Sequence, residues 1–146
     1  MIRQFQMSDT EQVMQIWLQG NEDAHPFIPG KYWRSHFSAV QEQIKQAEVS
    51  VYEAEGKIQG FIGITEGYIA GIFVSRNYRC HGIGRQLLEY AKQTHSTLSL
   101  DVYEKNTQAV DFYLREKFVI VSRQTDENTG ETEFTMSFNE KMEEQK

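Results

Sequence analysis

The apolar residues of this chain change period along its length, and the changes mark its elements. Trp33, Phe37, Val40, Ile44 and Ala47 recur at steps of 4, 3, 4 and 3, the spacing of one apolar stripe on a helix. An earlier helix is predicted from Val13, Ile16 and Trp17, with Ser8 as N-cap, Glu11 returning to it in a capping box, and Gly20 as its end. Before it, Met1 to Met7 alternates as a first strand whose apolar points are Ile2, Phe5 and Met7. "VSVYEAEGKIQGFIGIT" reads as two strands around a Glu55-Gly56-Lys57 turn. Glu66-Gly67 then turns the chain into "IAGIFVS", whose weak alternation fits a strand covered on both faces. Ile83, Leu87, Leu88 and Ala91 form the apolar side of the next helix, followed by the strand "TLSLDVY" and a short helix from Asn106 to Glu116. "FVIVSRQ" and "EFTMSF" make an antiparallel pair joined by the polar "TDENTGET", and residues 138–146 are expected to fray. The resulting order, β-α-α-β-β-β-α-β-α-β-β, predicts one α/β domain with a mixed sheet over residues 1–146. The segment "NEDAHPFIPGKYW" holds both prolines and is read as a loop between the first two helices.

Composition narrows the possible roles. The 146 residues carry 15 Lys and Arg against 21 Asp and Glu, a net charge of −6. Bulk nucleic-acid binding needs a basic surface to displace counterions, so a nucleic-acid partner is not expected. An acidic surface suits a cationic small molecule or a lysine-bearing protein better. No apolar run reaches the length of a membrane span, the N-terminus has no secretory pattern, and the single Cys80 cannot form an internal disulfide. A cytoplasmic location is the expectation, with no membrane partner and no metal.

The candidate chemistry begins at "RCHGIGRQLLEY". Arg79, Gly82 and Gly84 lie between a predicted strand and a predicted helix, where the first-turn N–H groups and the helix dipole favour an anion. Glycine lets the backbone approach a phosphate and take positive φ, while Arg76, Arg79 and Arg85 supply charge. The loop therefore reads as a diphosphate site. It is neither a Walker loop, which needs Gly-Lys-Ser/Thr, nor the dinucleotide fingerprint, which needs a third glycine. Further on, "NTQAVDFYLREKF" places Asn106 and Tyr113 seven residues apart, on one face of a helix that Asn106 is suited to cap.

Together these two motifs resemble the GNAT superfamily, the Gcn5-related N-acetyltransferases. The match is to Arg/Gln-x-x-Gly-x-Gly/Ala at Arg79 to Gly84 and to Asn-x-x-Ala-x-x-Phe-Tyr at Asn106, Ala109, Phe112 and Tyr113. "HPFI…YW" and "DVYEKN" are similar to the small bacterial YiaC-type members. One departure stands out. Such proteins usually have Gly-Phe after the tyrosine helix, and this chain has Lys117-Phe118, so the helix is expected to end differently.

The resemblance implies a mixed, mostly antiparallel sheet flanked by helices on both faces. It also implies acetyl-CoA as cosubstrate, with the diphosphate on Arg79, Cys80, His81, Gly82, Ile83, Gly84 and Arg85, and the pantetheine arm along Ile72, Phe73 and Val74. Asn106 would bond near the acetyl end, and Tyr113 would protonate the departing thiolate. A phenol with a pKa near 10 can donate at neutral pH, whereas the attacking ammonium must first lose a proton. Glu66 is the best carboxylate for that task, and His25 and Tyr103 are further polar candidates. Phe27, Tyr32 and Trp33 would wall an acceptor groove, with Glu22 and Asp23 attracting a cation. The expected activity is direct acetyl transfer to a primary amine, with protein lysine or an N-terminal amine ahead of a polyamine or other small amine. The expected assembly is a monomer or homodimer. A catalytically silent acyl-CoA sensor and acylation of aminoacyl-tRNA are the rival readings.

Overall fold

A computed structural model describes residues 1–141 and contains the predicted elements in the predicted order. Four helices, α1 (Thr10–Ala24), α2 (Gly30–Gln46), α3 (Ile83–Lys92) and α4 (Thr107–Arg115), surround seven strands. The strands are β1 (Ile2–Gln4), β2 (Glu48–Ala54), β3 (Lys57–Thr65), β4 (Tyr68–Val74), β5 (Thr97–Tyr103), β6 (Val119–Thr125) and β7 (Thr132–Asn139). They form one sheet in the order β1-β2-β3-β4-β5-β7-β6, antiparallel throughout except at the parallel neighbours β4 and β5. No described helix is long and apolar enough to cross a membrane.

Two apolar layers cover the sheet. On one face Leu87 and Leu88 of α3, Val110 and Tyr113 of α4, and Phe118 pack on Ile62, Leu100 and Met136. On the other, Val13 and Trp17 of α1 and Trp33 and Ile44 of α2 pack on Val49, Val51 and Phe61. The central strand β3 is buried at every position from Ile58 to Ile64, as a strand with both faces covered must be. The helical stripes predicted from spacing are therefore the surfaces that make the core.

Local details depart from the sequence reading at four places. Ser8 does not cap α1. Met7–Asp9 forms a 3₁₀ turn, and the buried Asp9 carboxylate accepts from the Gln6 amide at 2.8 Å and from Arg3 at 2.8 and 2.9 Å. A guanidinium supplied by β1 outcompetes the local hydroxyl cap, and this pair holds the Asp9 carboxyl below its usual pKa range. Gly20 does not end α1, which runs through it to Ala24 and so takes Asn21 to Ala24 out of the predicted loop. A Cβ at Gly20 would lie 2.9 Å from Cδ1 of Phe73, so that glycine serves packing rather than termination. β7 extends to Asn139 with Phe138 buried, so ordered pairing enters the stretch expected to fray, whose residues 142–146 lie outside the described part. The "EFTMSF" strand, β7, lies inside the sheet between β5 and the edge strand β6.

The fourth departure is at the end of α4. Lys117 adopts φ 78°, the left-handed conformation that glycine would take. The Phe118 amide closes back onto the Tyr113 carbonyl at 3.0 Å, and Lys92 Nζ donates to the Glu116 carbonyl at 2.7 Å. These bonds, with Phe118 buried behind them, hold a lysine where its Cβ is strained by about 1–2 kcal/mol. Lys117→Gly is expected to raise stability by about 0.5–1 kcal/mol once the entropy cost of glycine is subtracted. A urea midpoint that rises at constant m-value would show it.

Candidate active site

The site begins where two strands separate. β4 and β5 share a single ladder pair, Tyr68↔Ser99, supported by the Ser99 amide donating to the Gly67 carbonyl at 3.0 Å. One step later the β3–β4 register slips between Gly63↔Gly71 and Ile64↔Ile69, leaving Ala70 as an unopposed bulge residue. A bulge bends its strand and sharpens its twist. β4 turns away from β5, and from Ala70 onward its backbone has no ladder partner on that side.

The opened gap is a cleft of about 320 Å³ lined by Ile72, Phe73, Val74, Arg79, Gly84 and Asn106, with Phe112 of α4 opposite α1 residues Gly20 and Asp23. Six of the residues expected to hold the donor are thus brought together. The other five lie in the adjoining loop and the first turn of α3. Gly82 takes φ 82° as N-cap of α3 without a side-chain cap, so the first-turn amides of Ile83, Gly84 and Arg85 are left open. Cys80, exposed, also takes a positive φ, 67°, which the sequence reading reserved for glycine. His81 bonds the Tyr78 carbonyl through Nδ1 at 3.1 Å, and the Ile83 side chain lies in the core, leaving only its backbone to serve a ligand. Gly84 needs no special φ. Its missing side chain leaves the cleft wall open between Phe112 and Ile72, each 3.8–3.9 Å from where a Cβ would stand.

The loop arginines are not bare. Asp23 accepts from Arg76 at 2.8 and 3.1 Å and from Arg79 at 3.1 Å, and Arg79 Nε also donates to the Val74 carbonyl at 3.0 Å. The Arg76 and Arg79 bonds hold the Asp23 carboxyl below its ordinary pKa despite the opposing effect of burial. Asp23 is thus engaged by the arginines of the glycine loop, and Glu22 faces Arg34 at 3.8 Å. Arg85 points to Glu116 at 3.9 Å, away from the cleft.

Deeper in, a cavity of about 220 Å³ joins Tyr113, Asn106, His25, Tyr103 and Asp101 to Gly71 and Ile72. Asn106 caps α4 as predicted, its Oδ1 accepting from the Ala109 amide at 3.3 Å. That leaves its amide nitrogen to donate, at 3.4 Å, to His25 Nε2. His25 Nε2 is then an acceptor and the proton sits on Nδ1, which is buried without a partner. The ring stacks on Trp33 at 5.1 Å and meets Tyr103 and Phe27 edge-on at 5.2 and 5.7 Å. This aromatic box lowers the His25 pKa to about 4, burial outweighing the nearby Asn21 carbonyl. Tyr113 is 7% exposed, and among the described residues its hydroxyl bonds to no protein group. Burial, reinforced by nearby Tyr68, pushes its phenol above the ordinary tyrosine range.

Asp101 on the cavity wall, with Asp126 and Glu133 near it, is charge that the sequence reading missed. The β5–β7 register sets Asp101 opposite Thr135 and Tyr103 opposite Glu133. Asp101 accepts from Tyr68 at 3.1 Å and Thr135 at 2.6 Å, and Tyr103 donates to Asp126 at 2.6 Å. Burial, then Asp101 and Asp126, raise the Glu133 pKa. None of these three carboxylates has an ion-pair partner among the described residues. Period-two alternation on "LDVY" and "ETEFT" held the signal, but only the register joins the two strands. Phe27 and Tyr32 line an outer hollow of about 470 Å³ against Asn128 and Thr129 of the β6–β7 turn. Glu66 is not brought to the cavity: it is exposed in the β3–β4 turn at φ 50°.

The state of His25 has a measurable consequence. Its folded pKa lies below the unfolded value near 6.5. The unfolded chain therefore binds the proton first, and the His25 contribution to stability is intact above about pH 6.5 and is lost as pH falls toward 4. An NMR titration is expected to show the Nδ1–H tautomer at pH 7 and an imidazole midpoint near 4. A midpoint near 6.5 would refute the buried, neutral ring.

Comparison with known proteins bears on the same residues. The description "Acetyltransferase (GNAT) family" matches residues 10–118. The chain is 38% identical over 123 residues to the peptidyl-lysine N-acetyltransferase YiaC of Escherichia coli strain K12, covering 83% of this chain and 84% of that protein. Its fold is similar to the solution structure of apo YjaB from Escherichia coli, at a TM-score of 0.83 and 24% identity, covering 94% and 96% of the two chains. It is also similar to an aminoglycoside 6′-N-acetyltransferase complexed with coenzyme A, at 0.72 and 14%, covering 95% and 96%.

Proposed function

The chain belongs to the acetyltransferase (GNAT) family, and we propose that it moves an acetyl group from acetyl-CoA to the side-chain amine of a protein lysine by direct attack. One observation carries this reading: a protonated, buried phenol, Tyr113, and a carboxylate, Asp101, line one cavity at the end of the β4–β5 cleft. The similarity to YiaC, a peptidyl-lysine N-acetyltransferase, supports the choice of acceptor.

The cleft fits the donor. Ile72 to Val74 offer backbone groups that β5 leaves unpaired, matching the amides of a pantetheine arm. The open first turn of α3, with Arg79 beside it, suits a diphosphate. Asn106 Nδ2, poised by His25 and the Ala109 cap, faces the same space.

The chemistry divides between two walls of the cavity. A lysine ammonium with pKa near 10.4 is drawn toward Asp101, Asp126 and Glu133. Asp101, which lines the Tyr113 cavity, takes the proton directly or through water and replaces Glu66 in that role. The freed amine attacks the thioester carbon, and free amides of β4 near the bulge stabilise the developing oxyanion. As the carbon–sulfur bond breaks, Tyr113 gives its proton to the sulfur and regains one from the nitrogen as the amide forms. Phe27, Tyr32 and the β6–β7 turn form the outer groove where a peptide would rest.

Tyr113→Phe is expected to lower kcat by about 10²–10⁴ with the dissociation constant for acetyl-CoA unchanged. Coupled CoA release and calorimetry on the same preparation measure the two quantities, and full turnover in the variant would remove Tyr113 from the acid role. Asp101→Asn is expected to reduce kcat/KM for a lysine peptide without weakening acetyl-CoA binding.

A further inference from the structure

Resting on the donor reading above, we infer that the enzyme also transfers short straight-chain acyl groups longer than acetyl, such as butyryl, from their CoA thioesters. The acyl chain would enter a second hollow that adjoins the Tyr113 cavity. This hollow, about 490 Å³, lies between α2 and the sheet and is walled by Trp17, Val40, Phe61, Gly63 and Phe73. It shares Trp17, Ala70, Gly71 and Phe73 with the Tyr113 cavity, and Phe73 also lines the donor cleft. Three spaces meet at one ring.

That ring is held firmly. A Cβ at Gly71 would come within 2.2 Å of the Phe73 ring and one at Gly20 within 2.9 Å, and Phe61 stacks against it at 5.2 Å. Gly71 is therefore glycine because Phe73 occupies its side-chain space. Gly63, its ladder partner on β3, has no such reason. Its φ is not positive, and an added Cβ would meet only Val49 Cγ2, at 3.9 Å. Gly63 stands at the β3–β4 register slip, which favours a glycine, and a glycine inside a central strand also marks a close approach by a ligand or another backbone. Here it keeps the hollow empty.

Direction and polarity choose the occupant. The cleft runs back along β4 from Val74 through Ile72, and the next residues, Gly71 and Ala70, border both the Tyr113 cavity and the hollow. An acyl chain extending from a thioester at Ile72 continues along that line. Among the described residues the hollow is lined by no charged side chain, whereas Asp101 stands on the β5 side of the cavity with Glu133 and Asp126 near it. It suits methylenes, while the ammonium is drawn to the carboxylates. The reaction is unchanged: one ammonium proton goes to Asp101, the amine forms the new C–N bond, the C–S bond breaks as Tyr113 gives its proton to the sulfur, and the second nitrogen proton, released as the amide forms, restores the Tyr113 phenol.

The test compares acetyl-, propionyl- and butyryl-CoA with the wild-type protein, by calorimetry and by CoA release on a lysine peptide. Each added methylene is expected to tighten binding by about fourfold, and butyryl transfer should stay within about tenfold of acetyl transfer. Gly63→Val fills the hollow, so it should abolish the gain for butyryl-CoA and leave acetyl-CoA binding and turnover as they are. Gly63→Ala serves if the larger change disturbs folding. Butyryl-CoA binding no tighter than acetyl-CoA, or a variant that shifts both donors equally, would overturn the inference. Binding of every donor without transfer of any would instead sink the transferase reading, and the affinity series would still decide whether the hollow receives the chain.

Discussion

The site depends on the failure of β4 and β5 to remain paired. Parallel neighbours in a sheet ordinarily satisfy one another along their length, yet these two share one pair at Tyr68 and Ser99 before the bulge at Ala70 turns β4 aside. Backbone amides cannot be buried without partners at low cost, so the gap stays open to solvent or is completed by a ligand that brings its own amides. Both flanks are fixed by well-packed layers: β3 is buried throughout its interior, and β5 is paired with β7 along its whole length. The opening is therefore a stable property of the sheet, with α3 placing its N-terminus at one end and α4 placing Asn106 and Tyr113 at the other.

Around that gap, burial and charge set protonation states without any metal being invoked. His25 is neutral because an aromatic box strips its water, and Tyr113 is kept protonated by the same cause acting on an acid. One group loses its proton and the other keeps it because desolvation always penalises the charged form. The carboxylates on β5, on β7 and in the turn before β7 are less deeply enclosed and pair with no cation among the described residues, so their mutual repulsion favours positive charge beside them. Of these groups His25, Tyr113 and Asp101 line one small cavity.

Much of this could be seen in the sequence. The 4-3-4-3 stripe of α2, the Ile83-Leu87-Leu88-Ala91 face of α3, the Asn106 cap and the glycine loop are local patterns, and local periodicity survives folding. What escaped was tertiary. Asp9 became the N-terminal acceptor because Arg3 arrives from β1, and Asp23 turned to the donor loop because α1 runs a full turn beyond Gly20. Asp101 and Glu133 were inconspicuous until the β5–β7 register set their strands side by side. Glu66 looked suitable by position in the chain, but the turn that carries it faces solvent. Lys117 showed the opposite error: a strained conformation is accepted where the hydrogen bonds and packing around it leave no alternative.

The interlock of Phe73 with Gly20 and Gly71 bears on how relatives of this chain can diverge. The three positions come from α1 and β4, more than fifty residues apart at the extremes, yet they share one volume. Neither glycine can gain a side chain while the phenyl ring stays, and a smaller residue at 73 would release both. Substitution at these positions is consequently expected to occur as a set, leaving a covariation signal across homologues in which aromatic size at one position is traded against side chains at the other two.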